Sequence, residues 1–396
     1  MRIVCVGGGP AGLYFAILMK ARGEHEVTVL ERNPAGVTYG WGVVFWDDLL
    51  DELYASDPST AREISAAAFR WNGELLAIEH RDPVRVEGQG YGIGRQRLLD
   101  VLLRRARSLG VDVRFGSSVE HPSQVPDADL IVACDGAGSP LRQLHDKRFE
   151  TVVRVGRNKY VWLGTSKVFD EFTFGFVETP AGWIWCHAYG FDEDTSTFIV
   201  ECAPETWTGL GFDKLSHDDA LRRLERLFES HLEGEPLRSS PQGDRGVTWL
   251  NFRTLVAESW RHEKLVLMGD AAHTTHFTIG SGTKLALEDA IALATRLSES
   301  SDVDLALEAY EEERRQALLP TQTDARFSAR WFESVPRYLD LDPVRVFALL
   351  HERRSPLLPR IAPRLYYRLH QATHEIAPLR TLRKWAAPRI KALYGN

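Results

Sequence analysis

The chain has 396 residues, 44% hydrophobic and 26% charged, a globular composition with enough length for one large or two to three smaller domains. Its 48 Lys and Arg against 55 Asp and Glu give a net charge of −7, and no apolar run approaches the roughly 18 to 20 residues that span a bilayer, which argues against a membrane protein. The four cysteines, Cys5, Cys134, Cys186 and Cys202, lie far apart with no paired spacing, which argues against a zinc site and against a disulfide framework.

The opening segment MRIVCVGGGPAGLYFAILMKARGEHEVTVLER reads as strand, tight glycine turn, helix and strand. It begins directly on the strand, without the basic and long apolar regions of a secretory leader, so a soluble, cytoplasmic protein is expected. Gly7, Gly9 and Gly12 form G-x-G-x-x-G, and Glu31 ends the second strand nineteen residues after Gly12. The first glycine permits the turn, the second lets backbone approach a pyrophosphate, and the third lets helix and strand pack closely. The free N–H groups of the helix then face phosphate, and the acid suits ribose hydroxyls. A dinucleotide site is expected.

The helix-like RQRLLDVLLRRARSLG and the strands VDVRF and ADLIVACDG follow, so residues 91–150 are expected to complete a parallel sheet. From about 155 to 203 the period changes to two, in YVWLGTS, FTFGFVET, GWIWCHAYGF and STFIVEC, which predicts a separate antiparallel sheet. In the third of these strands Trp183, Trp185, His187 and Tyr189 share one face, opposite Ile184, Cys186 and Ala188. LSHDDALRRLERLFESHL predicts an amphipathic helix, KLVLMGDA returns to a parallel-type strand, and TKLALEDAIALATRL predicts the helix behind it. Beyond residue 303 helices broken by prolines are expected. From His351 onward ten Arg or Lys face two acids. This basic tail either docks on the acidic body or meets an anionic ligand. Nucleic acid explains it poorly, because the cations are confined to one segment and no recognition motif accompanies them.

Three motifs in order, the glycine fingerprint with Glu31, DGAGSPLR at 135–142, and GDAAH at 269–273 with GSG at 280–282, resemble the single-component FAD-dependent aromatic hydroxylases that share the para-hydroxybenzoate hydroxylase fold. The likeness covers roughly residues 1–320. It implies an α/β chain: a Rossmann-like FAD-binding domain (1–70, 91–150 and 260–320), an inserted antiparallel β-sheet substrate domain (71–90 and 151–259), and a helical basic C-terminal segment (321–396). By the same resemblance FAD is held by Gly7, Gly9, Pro10, Ala11, Gly12, Glu31 and Arg32 in the first motif, by Arg95, by Asp135, which also serves the nicotinamide nucleotide, and by Asp270 on the ribityl chain. Gly280, Gly282, Thr283 and Lys284 open a helix whose dipole faces the flavin pyrimidine and stabilises its reduced anion. NADH or NADPH is then a transient reductant without a second fingerprint of its own. No metal is expected, since His273 and His276 lack a third ligand and the H-E-x-x-H helix. No G-x-S-x-G elbow supports a hydrolase.

The segments HFTIGSGTKLALEDA, GWGVVF at 40–45 and GRNKYVWLGTSKVFD at 156–170 are most similar to the branch containing salicylyl-CoA 5-hydroxylase and the amino-terminal part of 2-aminobenzoyl-CoA monooxygenase/reductase. With a sequence that ends near 396, the reductase half of the latter is not expected. The same segments also resemble a hydroxylase of violacein biosynthesis. The branch implies NAD(P)H- and O₂-dependent hydroxylation of an aromatic CoA thioester, salicylyl-CoA to gentisyl-CoA, through a flavin 4a-hydroperoxide. The alternative enzyme reading is an indole or tryptophan-derived substrate without CoA. A halogenase fits poorly because the Trp-x-Trp-x-Ile-Pro signature is incomplete, and a binding module of this fold without redox work is the rival from another class.

For substrate, His276 and Phe277 stand where many family members carry prolines beside the flavin. His276 is the candidate to orient the substrate hydroxyl or take its proton. His187 and Trp185 are candidates for the ring pocket, with a packed aromatic sheet face as the alternative. Arg380, Arg383 and Lys384 are the candidates for CoA phosphates.

Overall fold

The computed structural model describes residues 1–240 and 246–375. The candidate CoA contacts Arg380, Arg383 and Lys384 lie outside the described residues. A six-stranded sheet runs in the order Arg261–His262, Leu265–Leu267, Leu130–Ala133, Arg2–Val6, Glu26–Glu31, Asp112–Phe115. Its pairs are parallel except that of the first two strands. The central strand carries Ile3, Cys5 and Val6, all buried, and the next carries Leu130, Ile131, Val132 and Ala133, buried without exception. A strand covered on both faces has no use for alternation, which is why these read as continuous apolar runs. Helix Pro10–Arg22 is buried from Pro10 to Met19 because it packs against both Gly282–Glu299 and Arg95–Ser108, and an apolar surface all round is what such a position requires.

The period-two segments form a second sheet, ordered Leu237–Arg238, Val152–Thr165, Ser196–Cys202, Gly182–Gly190, Phe172–Thr179, Glu74–Ile78, Val84–Val86, with Leu250–Val256 also pairing along Val152–Thr165. It is not wholly antiparallel. Phe172–Thr179 pairs in parallel with Glu74–Ile78, a strand delivered from far earlier in the chain, and a long-range pairing of that kind leaves no local signature. The alternation in Gly182–Gly190 sorts the two faces. Ile184, Cys186 and Ala188 join Val161, Leu163, Phe198 and Val200 against the helices around His217–Leu227, whereas Trp185 joins Phe174, Phe176, Leu76 and Ile78 against Trp331 and Phe332.

Two further differences from expectation have local causes. The GWGVVF segment contributes a strand, Gly42–Phe45, to a small third sheet with Gly90–Gly94 and Phe69–Trp71. It is fastened to the large sheet by Gly42 N donating to Thr197 Oγ1 (2.9 Å) and Tyr189 Oη donating to Gly42 O (2.8 Å). Only glycine fits there, since a Cβ at Gly42 would come within 2.5 Å of the Phe191 ring. After residue 303, Pro336, Pro343 and Pro363 each open a helix at its first turn, where a missing N–H costs nothing. Pro320, however, breaks nothing: the 31-residue helix Val303–Glu333 runs through it. Its first half, with Ala306, Leu307, Tyr310 and Leu318, lies in the core of the parallel sheet. Its end, with Trp331 and Phe332, lies in the core of the second sheet. Packing at both ends holds it helical across the one lost hydrogen bond. No helix among the described residues is long and apolar enough to cross a membrane.

Candidate functional site

The glycine turn between Arg2–Val6 and Pro10–Arg22 is shaped by three different demands. Gly7 has φ +119°, and a Cβ there would sit 2.3 Å from the Cys134 carbonyl oxygen. A Cβ at Gly12 would sit 2.2 Å from the Gly7 oxygen, so the helix lies directly on the turn. At Gly9 nothing lies within 4 Å of where a Cβ would stand, and Gly9 lines the main cleft. The first and third glycines serve packing; the second leaves room. Glu31 accepts from Gly8 N through Oε2 (2.7 Å) and from Asn33 N through Oε1 (2.8 Å), so it pins the turn and borders a small cavity of about 100 Å³ beside it.

That small cavity and the main cleft, about 1540 Å³, share two lining residues, Gly9 and Arg95. They form one continuous track. It runs from Glu31 past Gly9 and Arg95 to Pro10, Ala11 and Asp270, and on to Gly280, Gly282, Thr283 and Lys284 at the start of helix Gly282–Glu299. Arg95 Nε donates to Thr38 Oγ1 (3.2 Å); burial lowers its pKa, opposed by the charge of Asp270. Asp270 is exposed in area because it lines the cleft, yet it is enclosed deeply enough that desolvation raises its carboxyl above the ordinary range, against the pull of His273 and Arg95. Lys284 pairs with Asp48 and reaches Glu288 Oε1 (3.4 Å). Asp135 does not line the cleft, although its neighbours Gly136 and Ala137 do, and burial pushes its carboxyl up to about 6. Arg32 is exposed and lines neither cavity.

The residues fit a dinucleotide carrying a flavin. A glycine with empty space over it, a carboxylate at one end of the track and a second carboxylate facing the cleft are what pyrophosphate, ribose and ribityl hydroxyls need. The Asp270 turn is itself braced by residues that sequence reasoning missed. Asp289, fully buried, accepts from Gly269 N (3.0 Å) and lies 2.8 Å from His273 Nε2, and Arg314 Nε donates to its other oxygen (2.7 Å). Desolvation alone would raise Asp289; the charge and hydrogen bond of His273, then those of Arg314, outweigh it and hold the carboxyl low.

The far end of the cleft is built by strand register. Opposite pairing places Tyr160, Glu201, Trp185 and Phe176 in one row across the sheet, and Trp162, Ile199, His187 and Phe174 in the next. His187 and Phe277 line the cleft, with their rings 5.6 Å apart edge to face. His187 Nε2 lies 3.2 Å from Glu201 Oε2. Glu201, 1% exposed, also accepts from Trp185 Nε1 (3.1 Å) and Asn158 Nδ2 (2.8 Å). Burial alone would raise this carboxyl, but the hydrogen bond from His187, the attraction of that ring and the bond from Asn158 hold it below the ordinary range. An ionised carboxylate only accepts, so Nε2 of His187 is the donor in this bond and Nδ1 is the ring nitrogen not engaged by Glu201.

Two expected substrate contacts do not reach this space. Trp185 is buried between Phe176 and Phe332, and its role is to hold Glu201. His276 lies behind Phe277, against which it stacks at 4.5 Å, and its Nδ1 caps the turn Phe277–Ile279 through Thr278. Desolvation lowers its pKa to about 4, leaving a neutral ring. A buried histidine bonded to its own turn is excluded from the cleft that Phe277 faces. Glu201 was detectable in principle: it is a lone acid inside the apolar run FIVEC. Among the described residues, no group of three or more His, Cys, Asp or Glu is placed to hold a metal.

Comparison with known proteins agrees with this architecture. The sequence profile of a family described as FAD binding domain matches residues 122–319. The chain is 40% identical over 372 residues to salicyloyl-CoA 5-hydroxylase of a Streptomyces species, covering 91% of this chain and 70% of that protein. It is 35% identical to 3-hydroxy-4-methyl-anthranilyl-[aryl-carrier protein] 5-monooxygenase of Streptosporangium sibiricum, covering 85% and 90%, and 31% identical to protodeoxyviolaceinate monooxygenase of Chromobacterium violaceum, covering 94% and 100%. Among solved structures, 2-methyl-3-hydroxypyridine-5-carboxylic acid oxygenase matches with a TM-score of 0.69 over 85% of this chain and 91% of that chain. At 22% identity this last likeness is one of fold.

Proposed function

The chain belongs to the FAD-dependent aromatic monooxygenases, and we propose that within this family it hydroxylates an aromatic acyl thioester, salicyloyl-CoA to gentisyl-CoA, at ring position 5. The reading is carried by the 40% identity to salicyloyl-CoA 5-hydroxylase across nine-tenths of the chain. It is supported by the relative named for an anthranilyl group on an aryl-carrier protein, since CoA and carrier-protein substrates are both thioesters. The cleft volume of about 1540 Å³ exceeds the roughly 300 to 1,000 Å³ of a single small-ligand pocket, which favours two occupants meeting in one space.

Bound FAD, reduced by NADH or NADPH, would activate O₂, one atom of which goes to the ring and the other to water. The protein's share is binding, orientation and proton handling. In our reading Gly9, Pro10 and Ala11 with the helix N-terminus hold the pyrophosphate, Glu31 the adenosine ribose, Asp270 and Arg95 the ribityl side, and Gly280 to Lys284 the flavin edge. Phe277 packs against the aromatic ring of the substrate, and His187 accepts the phenolic proton at Nδ1 while Glu201 steadies the imidazolium that results. The tail cations Arg380, Arg383 and Lys384 remain our candidates for CoA phosphates. The second reading, an indole-type substrate without CoA, draws on the similarity to protodeoxyviolaceinate monooxygenase. Incubating the holoenzyme with NADH and, side by side, salicyloyl-CoA, free salicylate and indole substrates separates the two. Hydroxylated thioester is the expected product; hydroxylated indole without thioester turnover rejects the proposal.

A further inference from the structure

Among the arginines lining the cleft, Arg353 stands beside the aromatic wall that faces His187. Arg353, just beyond helix Pro343–His351, lines the cleft together with Phe174 and His187. Its Nε donates to Ser328 Oγ (3.2 Å), Nη1 to the Leu350 carbonyl (2.9 Å) and Nη2 to the Thr278 carbonyl (3.4 Å). All three acceptors are neutral, and among the described residues no carboxylate forms an ion pair with it. Glu74 and Asp324 act on it only through longer-range attraction, and Arg354 opposes them. Burial brings the guanidinium down to about 10, so it remains a cation at neutral pH.

An enclosed guanidinium fixed by neutral acceptors and facing a cavity is a ready receptor for an oxygen anion, because desolvation strengthens the attraction and the fork is already oriented. The surroundings say what carries that anion. The guanidinium carbon lies 5.8 Å from the centroid of Phe174, and the same ring meets His187 edge to face at 5.6 Å. Cation, aromatic wall and the histidine bonded to Glu201 therefore follow one another along one side of the cleft.

We propose that Arg353 is the anion anchor of the substrate cavity, its guanidinium taking an oxygen anion borne by an aromatic ring that lies against Phe174: the ionised phenol of an acyl thioester, or the carboxylate of a free aryl acid. The assignment rests on the aromatic-hydroxylase reading but not on the thioester. The two sources differ in consequence. Holding a phenolate enriches the ring carbons ortho and para to it, where an electrophilic oxygen is accepted; holding a carboxylate orients the ring without activating it.

The test uses purified holoenzyme as wild type, Arg353→Met and Arg353→Lys, titrated through the flavin absorbance change with two ligand pairs: 2-hydroxybenzoyl-CoA against benzoyl-CoA, and salicylate against salicylamide. Within each pair the ring is kept and only the group that can bear the anionic oxygen changes, hydroxyl to hydrogen in the first and carboxylate to carboxamide in the second. Arg353→Met is expected to lose about tenfold to a hundredfold more affinity for the anionic member of one pair than for its partner, with Arg353→Lys in between. Selective loss in the first pair assigns a phenolate, in the second a carboxylate. If wild type binds salicylate but not 2-hydroxybenzoyl-CoA, the thioester function fails while the anchor is still read from the second pair. Equal losses within both pairs, unchanged binding in Arg353→Met, or a wild type that binds neither anionic ligand overturns the anchor. Should Arg353→Met purify without flavin, the same selectivity is required of Arg353→Lys.

Discussion

Glu201 stands directly opposite Trp185 in the pairing of Ser196–Cys202 with Gly182–Gly190, and His187 follows two residues along the same face. Strand register therefore delivers a buried carboxylate to the one histidine of that strand without any loop. Glu201→Gln keeps the shape but removes the charge and one acceptor. It is expected to lower stability by roughly 1 to 3 kcal/mol. If His187 takes the phenolic proton, hydroxylation should fall about 10²-fold while NADH oxidation continues and hydrogen peroxide accumulates. Unchanged coupling of NADH to product in this variant would remove Glu201 and His187 from the reaction.

The three fingerprint glycines should respond differently to alanine. Gly9→Ala meets open space, so the apoprotein should melt as wild type does and bind FAD more weakly, by about tenfold or more, because the new methyl occupies the approach of the pyrophosphate. Gly12→Ala drives a methyl into the Gly7 carbonyl and should destabilise the apoprotein itself. Thermal melts with FAD stripped and restored distinguish the two; identical behaviour of both variants contradicts the assignment.

Asp270→Ala and Glu31→Ala each remove a carboxylate that we propose binds sugar-like hydroxyls of the cofactor. Charge-assisted hydrogen bonds of this kind contribute roughly 1.5 to 3 kcal/mol, so FAD affinity should fall about tenfold to a hundredfold. Stoichiometric flavin in both variants, purified at micromolar concentration without added FAD, would argue against the track. Glu31→Ala should also loosen the turn, since Gly8 and Asn33 lose their shared acceptor.

His276 predicts a pH effect on stability. Its ordinary value is 6.5 and the folded value about 4, so between these the unfolded chain binds a proton that the folded chain refuses. Stability is fully present above pH 6.5 and declines as the pH falls toward 4, by roughly 2 kcal/mol at pH 5 from this group alone. His276→Gln should lose less on going from pH 7.5 to 5 in denaturant titrations, while retaining coupled hydroxylation. An equal loss in both proteins would mean that the ring titrates normally.

Much of the fold was readable because its signals are local. The strand–glycine–helix–strand opening, Glu31, and the period-two run around Trp185 and His187 depend on neighbours in sequence, and alternation alone placed Trp185 and His187 on one face. What escaped depends on partners far away. Glu74–Ile78 pairs with Phe172–Thr179, Asp289 reaches back to Gly269, and Arg353 meets Thr278 and Phe174. His276 looked exposed to the flavin because its position in the motif was the only guide; its neighbours Phe252, at 4.7 Å, and Phe277 bury it. Helix Val303–Glu333 defied its own Pro320 for the same reason, since tertiary packing overrides local propensity.

That helix, about 45 Å long at 1.5 Å per residue, is planted in both cores, with Tyr310 under the parallel sheet and Trp331 under the second. Neither sheet can melt without stripping one end of a rod that the other still grips. The two halves are thus bound into a single cooperative unit, and damage at one end is felt at the other: truncating Trp331, well away from the dinucleotide track, loosens the helix that carries Arg314 to Asp289 and, through Gly269, the turn of Asp270. Heat resistance and flavin retention become one property of the chain, set as much by a tryptophan under the second sheet as by the glycines of the first.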